Sequence, residues 1–294
     1  MFELDDLLAG LKLEEDAPGR FRAPNMDYYG KSSGGAAAQA VSDIVAGGQL
    51  LAQAITAATM TQPGKSVKSV HAVFARSGRV SLPLELQVDT VQSGRTLGTA
   101  VVTFLQEDRP IATSTVLLHA PDPDAIRHGS PMKAVDGPDS RGTRTEDRGA
   151  YEVGVIEASE LASPDDVGSA ELAMWVRFKD GPSDEATNQA LLAFVTNFHL
   201  IGVAMRPHAG LSVEQSHLRV TTGVLSHTIA FHEPFDAHQW LLLDQDVPYA
   251  GRGRCYGRGT VFTEDGALVA SFAQDGLIRA MAEARSPGDK TSRL

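Results

Sequence analysis

The stretch that decides the fold is AAAQAVSDIVAGGQLLAQAITAATM, residues 36–60. It is rich in Ala, Leu and Gln, and its apolar residues recur at the spacing of one helix face: Val41, Ile44, Leu51 and Ile55. The pattern predicts a helix over about residues 37–60. Glycine within a helix costs about 1 kcal/mol relative to alanine. The pair Gly47-Gly48 therefore indicates either the start of the helix or a close approach of another backbone.

After this helix the pattern changes to that of antiparallel strands. Over residues 84–89, Leu and Val alternate with Glu, Gln and Asp, which is the period of a half-buried strand. Further strand-like runs are SVHAVFAR, TLGTAVVTFLQ and PIATSTVLLH, at residues 69–76, 96–106 and 110–119. We therefore predict one helix followed by about four strands in the first 120 residues.

A second copy of the same pattern follows a linker. Residues 121–150 have no periodicity and contain four Pro and four Gly, which is a linker composition. Beyond them a helix is predicted over residues 190–205, and strands follow it. Short motifs recur at offsets of 159 and 157 residues: Arg95 as Arg254, and Ser114 as Ser271. Nearly equal offsets and a shared order of elements indicate a duplicated module.

A long apolar helix followed by a curved antiparallel sheet can be buried in the concavity of that sheet, which is the hotdog fold. The sequence thus predicts an α+β double hotdog, with two antiparallel sheets each wrapped around a long central helix. The predicted divisions are an N-terminal hotdog at 1–120, a linker at 121–150, a C-terminal hotdog at 151–285 and a tail at 286–294.

The composition argues against several classes of protein. The 26 basic and 37 acidic residues give a net charge of −11 without a basic run, so we expect no nucleic-acid partner. One cysteine, Cys255, and no close Cys/His cluster predict no disulfide, no metal and no other cofactor. The sequence contains no run of about 20 uninterrupted apolar residues, so we expect no membrane span. The first ten residues are acidic where an export signal is basic, so we expect a cytoplasmic protein.

Six segments, in order, resemble type II acyl-CoA thioesterases, and together they run from about residue 36 to 280. They are GGQLLAQA at 47–54, VHAVFARSG at 70–78, SHTIAFHEPF at 226–235, DAHQWLL at 236–242, RGTVFTEDG at 258–266 and AQDGLIR at 273–279. The resemblance implies a double hotdog enzyme that hydrolyses acyl-CoA to free acid and CoA. It also implies an acyl chain lying between helices and sheet, and a homo-oligomer.

In the family that these segments resemble, an Asp, a Thr or Ser, and a Gln hold and activate a water. The Gln position is Gln274, but the Asp position is Asn197 and the Thr position is Val224. An Asn amide can hydrogen-bond water but cannot take its proton. On a regular strand, Thr222 and Ser226 share the face of Val224, so we expect a neighbouring hydroxyl to be available there.

Alternatives remain for both the glycine pair and the function. Gly47-Gly48 either lets the helix pass close to a neighbour or donates backbone N–H groups to the acyl carbonyl. The altered Asn197 and Val224 also suit a protein that binds or senses acyl-CoA without hydrolysing it. A hydratase, which usually needs an Asp–His pair, is a third alternative, but His199 has no Asp beside it.

Overall fold

The computed structural model describes residues 1–31, 40–156, 161 and 163–281. The predicted first residues of the central helix and the predicted tail at 286–294 lie outside this part. Its helices are α1 (Leu4–Gly10), α2 (Tyr28–Lys31), α3 (Gly47–Thr61), α4 (Glu185–Thr196) and α5 (Leu200–Met205), with one 3-10 turn at Val213–Gln215.

The strands form two series, one before and one after the segment between β6 and β7. The first series is β1 (Glu14–Ala17), β2 (Arg20–Ala23), β3 (Ser66–Phe74), β4 (Leu84–Ser93), β5 (Leu97–Gln106) and β6 (Arg109–His119). The second is β7 (Thr143–Asp147), β8 (Tyr151–Ile156), β9 (Glu171–Phe178), β10 (Val220–Phe231), β11 (Leu241–Gly251), β12 (Arg254–Thr263) and β13 (Leu268–Ala280).

The two halves share one antiparallel sheet. Its 13 strands run in the order β1-β2-β4-β5-β6-β3-β10-β13-β12-β11-β9-β8-β7. The α+β double hotdog is confirmed, but the two predicted sheets are joined, because β3 pairs with β10 from Val73↔Ser226 to Ser69↔Ala230. The segment 121–150 also contains β7, which pairs with β8. The predicted domain boundaries stay a prediction.

Both long helices are shorter than predicted. The described helix α3 begins at Gly47 with Ala46 as its N-cap, residues 41–43 form a turn, and Ile44 forms an isolated bridge with Arg79. Helix α4 begins after Asp184, whose carboxylate accepts a hydrogen bond from the Thr187 N–H. It ends at Thr196, and the chain is not helical again until Leu200. The predicted helix over 190–205 is thus interrupted at residues 197–199.

Helices α3 and α4 pack against each other at a point where only glycine fits. A Cβ atom on Gly48 would lie 2.4 Å from the carbonyl oxygen of Phe194. Gly47 therefore starts the helix and Gly48 allows the close approach, and donation of their N–H groups to an acyl carbonyl stays a prediction. Beside this contact Leu51, Ile55 and Leu191 are fully buried, and each such side chain contributes about 1.5–3 kcal/mol.

The first 31 residues cover one side of α3 and are held there by two buried glutamines. Gln49 Oε1 accepts a hydrogen bond from the Met26 N–H at 2.9 Å. Gln53 Nε2 donates to the carbonyl oxygens of Gly10 and Pro24, both at 2.8 Å. Buried polar side chains need such partners, so these two amides fix the N-terminal segment on the helix.

Residues 185–205, taken across the break at 197–199, are the one described segment long and apolar enough to cross a membrane. Of its apolar window, 83% is buried inside the protein. This burial is typical of a core helix.

We predict that Gly48→Ala separates the two helices. Its methyl group would overlap the Phe194 carbonyl oxygen, and overpacking of this kind costs about 1–3 kcal/mol. Urea unfolding should show a lower midpoint. The matched control is Gly223→Ala on β10, where no atom lies within 4 Å of the added Cβ. Equal midpoints for the two variants would contradict this account of the contact.

Candidate active site

A bulge in β10 places Val224 and Ser226 on opposite faces of the sheet. Val224 pairs with Gly276, whose missing Cβ would meet Ile201 of α5, so Val224 lies on the inner face. Ser226 pairs with Asp275 and Val73, and its hydroxyl donates to Asp275 Oδ2 at 2.9 Å on the outer face. The expectation that Ser226 shares the face of Val224 is therefore wrong, because an extra residue at a bulge reverses the alternation.

Thr222 does share the inner face of Val224. It pairs with Ile278, which packs on the core, and its hydroxyl lies 3.2 Å from His217 Nε2. The hydroxyl thus already has a partner. Val224 itself brings no polar atom to the face that it occupies.

Asn197 lies at the junction of the two halves. It ends helix α4 and is 3% exposed. A Cβ atom on Gly47 would lie 2.7 Å from its Oδ1, so the carboxamide rests on the first residue of α3. Its Nδ2 is buried and has no hydrogen-bond partner among the described residues. The first N–H groups of a helix have no intrahelical acceptor. Backbone donors of α3 and the side-chain donor of Asn197 therefore converge at this point.

Gln274 is 2% exposed and lies on the inner face of β13. Its Oε1 is 3.2 Å from Nδ1 of His227, the residue paired with it on β10. The Nε2 of the same imidazole is 3.2 Å from Thr196 Oγ1. Because Thr196 directly precedes Asn197, the structure connects the two predicted carboxamides through His227.

His227 and Thr196 are not among the site residues predicted from the sequence. Both side chains are fully buried, and the His227 ring stacks on Phe272 with its centroid 5.9 Å away. Burial lowers the pKa of His227 to about 4. The signal in the sequence was the place of His227 within the family-like segment SHTIAFHEPF.

A second buried histidine follows Asn197. His199 is the N-cap of α5, and its Nδ1 is buried without a hydrogen-bond partner in the described part of the chain. Desolvation, and to a smaller extent Arg148, lower the pKa of His199 to about 4. It is therefore neutral at pH 7.

Aromatic side chains from three segments pack beside Asn197. The Tyr28 ring stacks on Phe198 at 4.6 Å and meets Phe194 edge-on at 5.3 Å. The Tyr28 hydroxyl is 3.3 Å from that of Tyr151, and Phe2 stacks on Phe194 at 5.9 Å. The N-terminal segment thus forms part of the apolar surroundings of the site.

The described residues support neither a metal site nor a nucleophilic cysteine. The described residues contain no group of three or more His, Cys, Asp and Glu side chains arranged to hold a metal. Cys255 is buried, and burial raises the pKa of its thiol to about 11. At neutral pH it is a thiol and a poor nucleophile.

An open groove of about 650 Å³ lies on the second half of the sheet. It is lined by outer-face residues such as Thr228 and by both members of the ion pair between Arg258 and Asp246. Neither Asn197 nor Gln274 lines it. The groove is therefore separate from the buried site.

Comparison with known proteins identifies the family. An acyl-CoA thioesterase N-terminal domain model matches residues 37–119, and an acyl-CoA thioesterase C-terminal domain model matches residues 129–278. The chain therefore belongs to the type II acyl-CoA thioesterase family, as the resemblance predicted.

Individual relatives cover nearly the whole chain. Acyl-CoA thioesterase 2 of Haemophilus influenzae is 28% identical, over 94% of this chain and 98% of its own. The crystal structure of acyl-CoA thioesterase II TesB2 from Mycobacterium marinum is 25% identical and has a TM-score of 0.76, over 95% of this chain and 99% of its own. A hot dog fold protein from Alicyclobacillus acidocaldarius has a TM-score of 0.73 at 19% identity, over 94% and 98% of the two chains.

We predict that acid destabilises the fold through His199 and His227. At pH 7 both are neutral whether the chain is folded or unfolded. Below a pH of about 6.5 the unfolded histidines bind protons, whereas the buried ones stay neutral down to a pH of about 4. The free energy of unfolding therefore falls across this window, by up to about 3 kcal/mol for each histidine.

Urea unfolding from pH 7 to pH 4.5 measures this loss. The His227→Asn variant should lose less stability over the window than the unsubstituted protein. His128→Asn, at an exposed imidazole, is the control and should follow the unsubstituted protein. A His227→Asn curve parallel to the control would contradict the prediction.

Proposed function

We propose that the protein hydrolyses acyl-CoA thioesters to a free acid and CoA, with a water held by Asn197 and Gln274. The observation that carries the proposal is the buried Asn197 carboxamide, which rests on the first residue of α3 and whose Nδ2 has no partner within the described part of the chain. The names of the relatives support the same substrate class.

The start of α3 suits the thioester carbonyl. The N–H groups of Gly47 and Gly48 lie at the positive end of a 15-residue helix. Donors held in place before the reaction stabilise the negative charge that develops on the carbonyl oxygen, and they act most strongly where water is excluded. The absence of a Cβ on Gly47 lets the Asn197 carboxamide lie against the same helix start.

The attacking water lacks a carboxylate base. Asn197 and Gln274 are neutral amides, so they orient the water but cannot remove its proton. The water oxygen forms the new bond to the carbonyl carbon and its proton passes to solvent. The C–S bond then breaks and CoA leaves as a thiolate. A missing general base typically lowers the rate by about 10²–10⁴-fold, so slow hydrolysis is expected.

Restoring the family residues should therefore accelerate the reaction. We predict that Asn197→Asp combined with Val224→Thr raises kcat by about 10²-fold or more, measured as CoA release across acyl chains of different length. Gln274→Ala should abolish the activity of both forms. Ser226→Ala, on the outer face of β10, is the control and should leave kcat/KM unchanged. Full activity in Gln274→Ala would overturn the proposed role of this amide.

The second candidate is a protein that binds or senses acyl-CoA without turnover. Asn197 and Val224 favour it, because they keep the shape of the site and remove its base and its hydroxyl. Calorimetric titration with acyl-CoA, followed by assay of the recovered ligand, separates the two functions. Saturable binding with intact thioester would select the binding protein, and released CoA would eliminate it.

The homo-oligomer and the cytoplasmic location implied by the sequence stay predictions. The same holds for the absence of a cofactor.

A further inference from the structure

His227 touches both elements that carry the candidate carboxamides. Its Nδ1 faces Gln274 Oε1 on β13, and its Nε2 faces Thr196 Oγ1 on the last turn of α4, each at 3.2 Å. All three side chains are at most 2% exposed. Bulk solvent therefore does not reach these side chains, and buried polar groups of this kind bond to one another or to the neighbouring backbone.

The chemistry of the partners restricts how the hydrogens are distributed among them. A carbonyl oxygen only accepts, so Nδ1 of His227 must carry a hydrogen to bond Gln274 Oε1. The three side chains that contact the ring, Thr196, Gln274 and Phe272, carry no charge. The imidazole is neutral in these surroundings, so the lone pair on its Nε2 accepts a hydrogen bond.

Thr196 can supply that hydrogen. Its hydroxyl has one hydrogen and two acceptors within reach, His227 Nε2 at 3.2 Å and the Ala193 carbonyl oxygen at 3.1 Å. Donation to Ala193 would leave the Nε2 lone pair unpaired in the core. Donation to Nε2 satisfies the ring at both nitrogens.

We propose that His227 is a positioning residue, which accepts from Thr196, donates to Gln274 and so turns the Gln274 amino group toward the substrate. This inference rests on the proposed function. An amide whose oxygen accepts from His227 points its NH₂ group away from the ring.

The consequence concerns what the site binds. Asn197 Nδ2 has no partner among the described residues, so both carboxamides present N–H donors. A thioester oxygen can accept from both donors, whereas the attacking water can accept from one, because its second lone pair must stay free to bond the carbonyl carbon. Gln274 then acts by donating a hydrogen bond, and His227 sets this direction without touching the reacting atoms.

Nitrogen-15 NMR of the full chain with labelled histidine tests the hydrogen distribution directly. At pH 7 we expect His227 to be neutral with its hydrogen on Nδ1; the His227→Asn variant identifies its signals. A hydrogen on Nε2 would overturn the proposal, because Gln274 would then have to face His227 with its amino group. A doubly protonated ring would overturn it as well.

A matched pair of variants tests the effect on catalysis. An Asn amide nitrogen approximates Nδ1, and a Gln amide nitrogen approximates Nε2. His227→Gln should lower kcat by about 10²-fold relative to the conservative variant His227→Asn, through a misplaced Gln274, with KM unchanged. If both variants keep the Tm of the unsubstituted protein and lose kcat equally, the proposal is overturned. If the unsubstituted protein shows no turnover, the proposed function fails, and the NMR experiment still decides the role of His227.

Discussion

The contact between Gly48 and the Phe194 carbonyl is the constraint on which the rest of the site depends. It brings the backbones of α3 and α4 together with no side chain between them. The first turn of α3 consequently lies under Asn197, which ends α4. One half of the chain thus contributes the start of α3 and the other contributes the carboxamide, so neither half alone contains the candidate site.

The continuous sheet supports this arrangement. The pairing of β3 with β10 joins the halves edge to edge, and it leaves no open strand edge between them. Strand β10 also pairs with β13, which carries Gln274. His227 on β10 is therefore held between both halves, and its two hydrogen bonds transmit that position to the carboxamides.

The candidate site is neutral and polar within an apolar core. Asn197, Gln274, Thr196 and His227 carry no charge at pH 7, so no buried ion needs a counter-ion. A buried polar network specifies one arrangement only when its members are satisfied. The unpartnered Nδ2 of Asn197 is the exception among these four side chains, and it marks the position where a ligand or a water has a partner to gain.

The sequence by itself determined the family and the order of a long helix followed by strands in each half, because hydrophobic period and ordered motifs are local properties. It also singled out Asn197, Gln274 and the glycine pair as candidate site residues. Each of them either lies in a family-like motif or replaces the residue that the family has at that position. The sequence missed α1, α2 and the pair β1–β2 in the first 31 residues. Only the tertiary structure decided that α4 stops at Asn197, that Ser226 faces outward and that His227 binds both partners. A bulge, a helix break and a hydrogen-bond network depend on strand register and on contacts between distant residues, which periodicity along the chain does not encode.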